Sequence, residues 1–207
     1  MVNIAPAMTA EPTTEERILA AARNVFTQKG MAGARMQEVA DEAGINKALL
    51  HYYFRSKQQL FEGVFRGEAE RQFHCIWCAL EDSEELFDAI RNFTEAYLDR
   101  MMEDPLLPVF IASELQRDPE GLAHWIDRGN HGREHFLELV TKARKEKRIM
   151  AIDPRELLVN MMSLCAHPFI ARPLLKHLHG INDENFKRMI KERKRSVPEF
   201  IIRSIRS

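Results

Sequence analysis

Residues 35–57 read RMQEVADEAGINKALLHYYFRSK. Two short helical patterns meet in this stretch at Gly44. Met36, Val39, Ala40 and Ala43 recur at the spacing of one helix face. Gly44 can take the left-handed backbone that a sharp helix stop requires. Ile45 is the apolar residue inside the turn, and Asn46 can cap a second helix with its side-chain oxygen. Leu50 and Phe54 repeat at helical spacing and can pack back on Val39 and Ala40. A helix, a tight glycine turn and a second short helix make a helix-turn-helix, the unit that places its second helix in the DNA major groove.

The side chains left on the second helix decide between that unit and an ordinary helical hairpin with a polar surface. Lys47, His51, Tyr52, Tyr53 and Lys57 crowd donors and aromatic rings at one end of the motif. Ammonium and phenol groups suit phosphate oxygens. The cluster HYYFRSK favours the DNA-binding unit.

The segment resembles the DNA-binding domain of the tetracycline-repressor (TetR) family. The matching residues are the turn Ala43-Gly44-Ile45, then Leu50-His51-Tyr52-Tyr53-Phe54, then Arg55-Ser56-Lys57. The preceding helix, Ile18 to Phe26 followed by Lys29-Gly30, is also similar, so the specific likeness covers about Thr14 to Phe65. Arg35 stands where the family has Thr; Asn46, Ala48 and Leu49 stand for Ser, Gly and Thr; His51 and Tyr52 reverse the usual aromatic order. The resemblance implies Gln37, Asn46, Lys47, Leu49 and His51 at base edges. It implies Arg35, Tyr52, Tyr53 and Lys57 at phosphates, with Phe54 in the core.

With 207 residues, 45% of them apolar, the chain can bury a sizeable core. A formal net charge of −1 argues against a protein coated by nucleic acid, although a local basic patch needs no basic chain. No run is long and apolar enough to span a bilayer, and the start, MVNIAPAMTAEPTT, lacks the blocks of a signal peptide. Three cysteines fit a reducing cytoplasm better than a disulfide framework.

Thr13 with Glu16 forms a capping box, so a first helix starts there and Gly30 stops it. Ser56 with Gln59 opens a long fourth helix. Leu60, Phe61 and Phe65 tie its first turns to the head, and Phe73, Ile76 and Trp77 serve a second core. Asp82 and Glu85 open the next helix, which ends at Asp104-Pro105. Asp118-Pro119 starts a helix that the apolar pattern carries to Lys147, and Asp153-Pro154 starts another that Pro168 kinks or ends. A looser stretch, Ala171 to Gly180, precedes a last helix from Asp183, which Pro198 interrupts. No alternating strand pattern occurs. The expected architecture is all-α: a flexible arm over 1–12, a helix-turn-helix domain over 13–58, and a helical effector-binding and dimerisation domain over 59–207.

The resemblance also implies a homodimer on a palindromic operator, most simply a repressor, with a ligand cavity among the body helices. Candidate wall residues are Trp77, Phe93, Tyr97, Met101, Phe110, Trp125, Met161, Met162, Cys165 and Phe169. Aromatic and Met side chains suit an adaptable apolar cavity, although plain core explains most of them. Glu114 could meet a cationic ligand but reads better as an exposed or capping charge. The family pairs its last two long helices between subunits, which would bury Phe186 and Met189 between chains. A different reading uses Cys75, Cys78 and Cys165 as a metal or thiol-redox sensor on the same scaffold. The CxxC lies inside a helix with no strand nearby, so buried structural thiols are favoured. His131 and His135 share a helix face but read as surface histidines, and Lys191 to Arg195 as a solvated face. No catalytic constellation or cofactor motif occurs, and an enzyme is not expected.

Overall fold

The computed structural model describes residues 12–104, 107–127 and 131–206, without the side chains of Glu68, Trp125 and Asp127. The flexible arm expected at the start and the Pro105 break lie outside the described residues, apart from Pro12. Among the described residues there are eleven α-helices and a single isolated bridge between Ile149 and Arg206. The chain divides into two compact units between Gly67 and Glu68.

The first unit is built by α1 (Thr14–Gly33), α2 (Met36–Glu42), α3 (Lys47–Tyr53) and the start of α4 (Lys57–Glu81). The Thr13 hydroxyl accepts from the Glu16 amide, and the Glu16 carboxylate accepts from the Thr13 amide, closing the expected capping box. Gly30 has φ +67°, so α1 breaks there before a short final turn to Gly33. Ile18, Val25 and Phe26 pack with Val39, Ala40, Leu50, Leu60, Phe61 and Phe65 as the core of the head. Phe26 meets Phe61 edge-on at 5.0 Å between ring centres.

The second unit continues from the later turns of α4. It holds α5 (Leu86–Glu103), α6 (Leu107–Arg117), α7 (Pro119–Asp127), α8 (Gly132–Lys145), α9 (Pro154–Ile170), α10 (Arg172–His179) and α11 (Asp183–Ile205). Its centre is α5, which packs on α8, α9 and α11 and buries Ile90, Phe93, Thr94, Tyr97, Leu98 and Met101.

Four local expectations are corrected. The pattern through Lys147 is two helices, because α8 starts afresh at Gly132. A Cβ at Gly132 would lie 2.1 Å from the Trp77 carbonyl oxygen, so this glycine seats α8 directly against the α4 backbone. The stretch read as loose is α10, an amphipathic helix with no buried residue; its Leu174 and Leu178 are exposed. Pro168 and Pro198 sit inside α9 and α11 without ending them.

The run at Lys191 to Arg195 is more than a solvated face. Lys194 pairs with Asp99 and Glu95 of α5, and the Arg193 Nη2 donates to the Leu164 carbonyl oxygen at 2.7 Å. His135, expected at the surface, donates from Nε2 to the Ser83 carbonyl oxygen at 2.7 Å. Phe186, expected between chains, is buried within one chain. It meets Phe169 edge-on, and the Arg172 guanidinium lies 4.6 Å from its ring centre.

Candidate nucleic-acid interface and effector chamber

The turn between α2 and α3 fixes how α3 is presented. Gly44 has φ +66°, a conformation that residues with a Cβ rarely take. The Arg17 Nη2 donates to the Ala43 carbonyl oxygen at 2.8 Å and clamps the end of α2 to α1. The Asn46 Oδ1 accepts from the Leu49 amide at 2.8 Å, which leaves the Asn46 amide group facing outward as a donor.

From that frame, α3 buries Leu50 completely and leaves Lys47, Leu49, His51, Tyr52 and Tyr53 exposed. Tyr52 is 80% exposed, an extreme for a large aromatic side chain. The Tyr52 and Tyr53 rings stand edge-to-face, 5.5 Å apart. Arg35, Gln37 and Asn46 are exposed beside them on α2 and the turn. The Gln37 Nε2 donates to Asp41 Oδ1 at 2.8 Å, which sets the direction of its amide.

Lys57 is placed differently from its neighbours. Its Nζ is half-buried and donates to the carbonyl oxygens of Ala34 at 3.1 Å and Ala32 at 3.3 Å. It ties the start of α4 to the end of α1, with one ammonium proton left over. The carboxylate of Glu38 is held low in pKa by the Lys29 ammonium 2.9 Å away and by the Arg35 amide.

The body contains an inner chamber of about 100 Å³ and a wider outer cleft of about 760 Å³. The chamber takes Phe73 from α4, Tyr97 and Met101 from α5, and Pro108, Ile111 and Leu115 from α6. Leu122 and Ile126 of α7 and Met162, Ala166, Phe169 and Ile170 of α9 complete it. Leu115, Leu122, Ile126 and Met162 line both spaces, so the cleft and the chamber are neighbours sharing a wall. The cleft adds Trp77, His124 and Arg133. The Trp77 Nε1 donates to the Ile126 carbonyl oxygen at 2.9 Å.

Of the wall residues read from the sequence, Tyr97, Met101, Met162 and Phe169 reach the chamber, and Trp77 and Met162 the cleft. Phe93, Phe110, Met161 and Cys165 are buried elsewhere in the core and line neither space. The side chain of Trp125 lies outside the described residues. Glu114 is fully buried, contrary to the expectation of an exposed charge, and the Arg117 guanidinium grips its carboxylate with two hydrogen bonds. Of the neighbours Met161 and Met162 only the second lines the chamber: one residue is a turn of about 100° around the helix, enough to change which space a side chain faces. Ala166 was missed because a small residue on a helix gives no pattern signal.

The thiols do not converge. Cys75 is exposed, Cys78 half-buried and Cys165 buried, and among the described residues no three His, Cys, Asp or Glu side chains form a metal site. Burial pushes the Cys78 thiol pKa up, with Glu81, Asp82 and Cys75 adding to the effect. That is the opposite of what a reactive redox thiol needs. Among the described residues no helix is long and apolar enough to cross a membrane.

The geometry defines an all-helical protein with a helix-turn-helix head and a cavity-bearing body. Residues 18–64 match the family model described as bacterial regulatory proteins, tetR family. The chain is 32% identical over 95 residues to the HTH-type transcriptional activator FasR of Mycolicibacterium smegmatis, covering 45% of this chain and 43% of FasR. It is 27% identical over 164 residues to the HTH-type transcriptional regulator BetI of Rhizobium meliloti, covering 77% of this chain and 70% of BetI. The match thus spans less than half the length of FasR. The fold is shared with the fatty acid degradation regulator FadR from Bacillus halodurans, at TM-score 0.63, 15% identity and coverage of 94% of this chain and 97% of that one. The helix-turn-helix segment of the chain thus carries the pattern of the TetR family of bacterial regulatory proteins.

Proposed function

We propose that this chain is a cytoplasmic transcriptional regulator that binds a palindromic operator as a homodimer and represses until a small, largely apolar effector enters the body. The observation that carries the reading is the outward face of α3. Lys47, Leu49, His51, Tyr52 and Tyr53 stand exposed on a helix that Asn46 caps and whose Leu50 is buried in the core of the head. Large exposed aromatic and basic side chains on a rigid short helix have a use against a nucleic acid and a cost without one. The base-edge set in this reading is Gln37, Asn46, Lys47, Leu49 and His51. Arg35, Tyr52, Tyr53 and the remaining proton of Lys57 face phosphates.

Pairing of two copies uses α9 and α11, but not through Phe186. The apolar side chains they leave uncovered are Val159, Ile170 and Phe200, each about half exposed or more. Phe200→Glu should give a monomer by sedimentation equilibrium, and an unchanged dimer would move the interface elsewhere. Effector response runs through α4, which buries Phe61 and Phe65 in the head and Ile76 and Trp77 in the body. A tilt of α4 in each subunit changes the separation of the two recognition helices, which DNA fixes near one helical turn, about 34 Å, or a multiple of it.

The test is selection of duplexes from a random pool on the full chain. A two-fold symmetric consensus is expected. Recovery of unrelated sequences, with binding that Lys47→Ala and Gln37→Ala leave unaltered, would sink the assignment.

A further inference from the structure

The inner chamber offers a ligand almost nothing polar. Among the described residues every side chain lining it is apolar except Tyr97. The surrounding walls are helices, whose backbone groups away from the helix ends are paired with one another. The Tyr97 hydroxyl has no hydrogen-bond partner among the described residues, while its ring packs 5.8 Å from that of Phe93. Tyr97 is 4% exposed as a residue. A hydroxyl on a ring that lines a cavity can be satisfied by what fills the cavity. Burial also pushes the Tyr97 phenol pKa upward, so it stays a protonated donor at any ordinary pH.

We propose that the effector is an uncharged, mainly apolar molecule whose inserted part carries a single hydrogen-bond acceptor, such as a ketone or ester oxygen, met by the Tyr97 hydroxyl. This rests on the regulator reading and specifies what it binds. A charge is disfavoured in the chamber, because among the described residues no side chain lining it can pair with one. The chamber, about 100 Å³, has room for a group on the order of a short branched chain or a small ring. The rest of the molecule lies in the outer cleft against Trp77, where His124 and Arg133 make the mouth polar.

Three probes of similar size separate the possibilities: benzylacetone, a neutral ketone; butylbenzene, with no acceptor; and hydrocinnamate, a carboxylate. Affinity for the full chain without DNA is read from tryptophan fluorescence, since Trp77 lines the cleft. The ketone should bind best and the carboxylate worst. Tyr97→Phe keeps the ring and removes only the hydroxyl. It should weaken the ketone roughly 2- to 12-fold, the range for one hydrogen bond, and leave butylbenzene unchanged. Ala166→Leu, a good helix former that fills the chamber, should abolish ketone binding while circular dichroism stays the same. The proposal is overturned if no probe binds, if hydrocinnamate matches the ketone, if Tyr97→Phe affects ketone and hydrocarbon equally, or if Ala166→Leu leaves ketone binding intact. The regulator reading fails separately: a chain that binds the ketone as described but selects no DNA sequence would keep the site and lose the regulator.

Discussion

The indole N–H of Trp77 donates to the carbonyl oxygen of Ile126 across 2.9 Å, joining α4 to the last turn of α7. The final carbonyls of a helix have no partner within it, so this bond satisfies one of them. Both residues also line the outer cleft. Trp77→Phe keeps an aromatic ring and removes the donor. It should cost about 1 kcal/mol in chemical denaturation. Amide exchange should also rise along 119–127. Unaltered exchange there would mean that α7 is held by its apolar face alone.

Two glycines predict opposite signs. At Gly132 an added Cβ would lie 2.1 Å from the Trp77 carbonyl oxygen, a backbone atom that cannot swing away. Gly132→Ala should destabilise the body by roughly 1–3 kcal/mol, as overpacking does. At Gly67, in the middle of α4, an added Cβ meets nothing within 4 Å. Gly67→Ala should stabilise by roughly 0.4–1 kcal/mol, through helix propensity and a less flexible unfolded chain. Thermal melts of both variants decide the matter. A Gly67→Ala protein that melts lower would show that its backbone needs glycine for a reason beyond space.

The contrast between these positions shows what the sequence could carry. The helix-turn-helix was legible because its determinants are local: Gly44, Asn46, Leu50 and Phe54 act within a dozen residues of one another. Gly132 gives no signal in the sequence, because its meaning lies in Trp77, far away in the chain. The same limit hid the pairing of Lys194 with Asp99 and the burial of Glu114 under Arg117. Pro168 and Pro198 misled for a different reason. A proline mid-helix removes one hydrogen bond, and packing that buries it can outweigh the loss, as burial of both prolines in α9 and α11 suggests. In the chamber the sequence supplied the right helices and some of the right faces, but not which neighbour on α9, Met161 or Met162, points inward.

Thiol chemistry should follow burial. Cys165 is fully buried, and desolvation pushes its thiol pKa up to about 12, with Thr94 and Arg193 pulling modestly the other way. The thiolate is the reactive form, so at pH 8 Cys165 should resist a disulfide reagent while the protein is folded. Exposed Cys75 should react first, Cys78 more slowly because its thiol pKa is raised, and Cys165 only with unfolding. Reaction kinetics with and without denaturant check the order. Protection of all three thiols by added zinc would revive the metal-sensor reading.

The head offers a sharper separation between stability and DNA contact. Lys57 holds the carbonyl oxygens of Ala34 and Ala32, whereas the Tyr52 hydroxyl lies on a ring that is 80% exposed. Lys57→Ala should therefore lower the melting temperature of the head, because two carbonyl contacts between α1 and α4 are lost; charged hydrogen bonds of this kind contribute about 1.5–3 kcal/mol when well shielded, and less at a half-exposed site. It should also reduce the slope of log affinity against log salt by about one phosphate's worth. Tyr52→Phe removes one exposed hydroxyl and should leave the melting temperature unchanged within about 0.5 kcal/mol of stability. Its affinity for all duplexes should nonetheless fall, with no change in sequence preference, as expected of a phosphate contact. Lys47→Ala completes the set: exposed and outside the core, it should leave stability alone and relax the preference at one base position in each half-site. If Lys57→Ala left the melt untouched while Tyr52→Phe lowered it, the assignment of clamp and contact would have to be exchanged. If none of the three changed binding, α3 would not be the element that meets DNA.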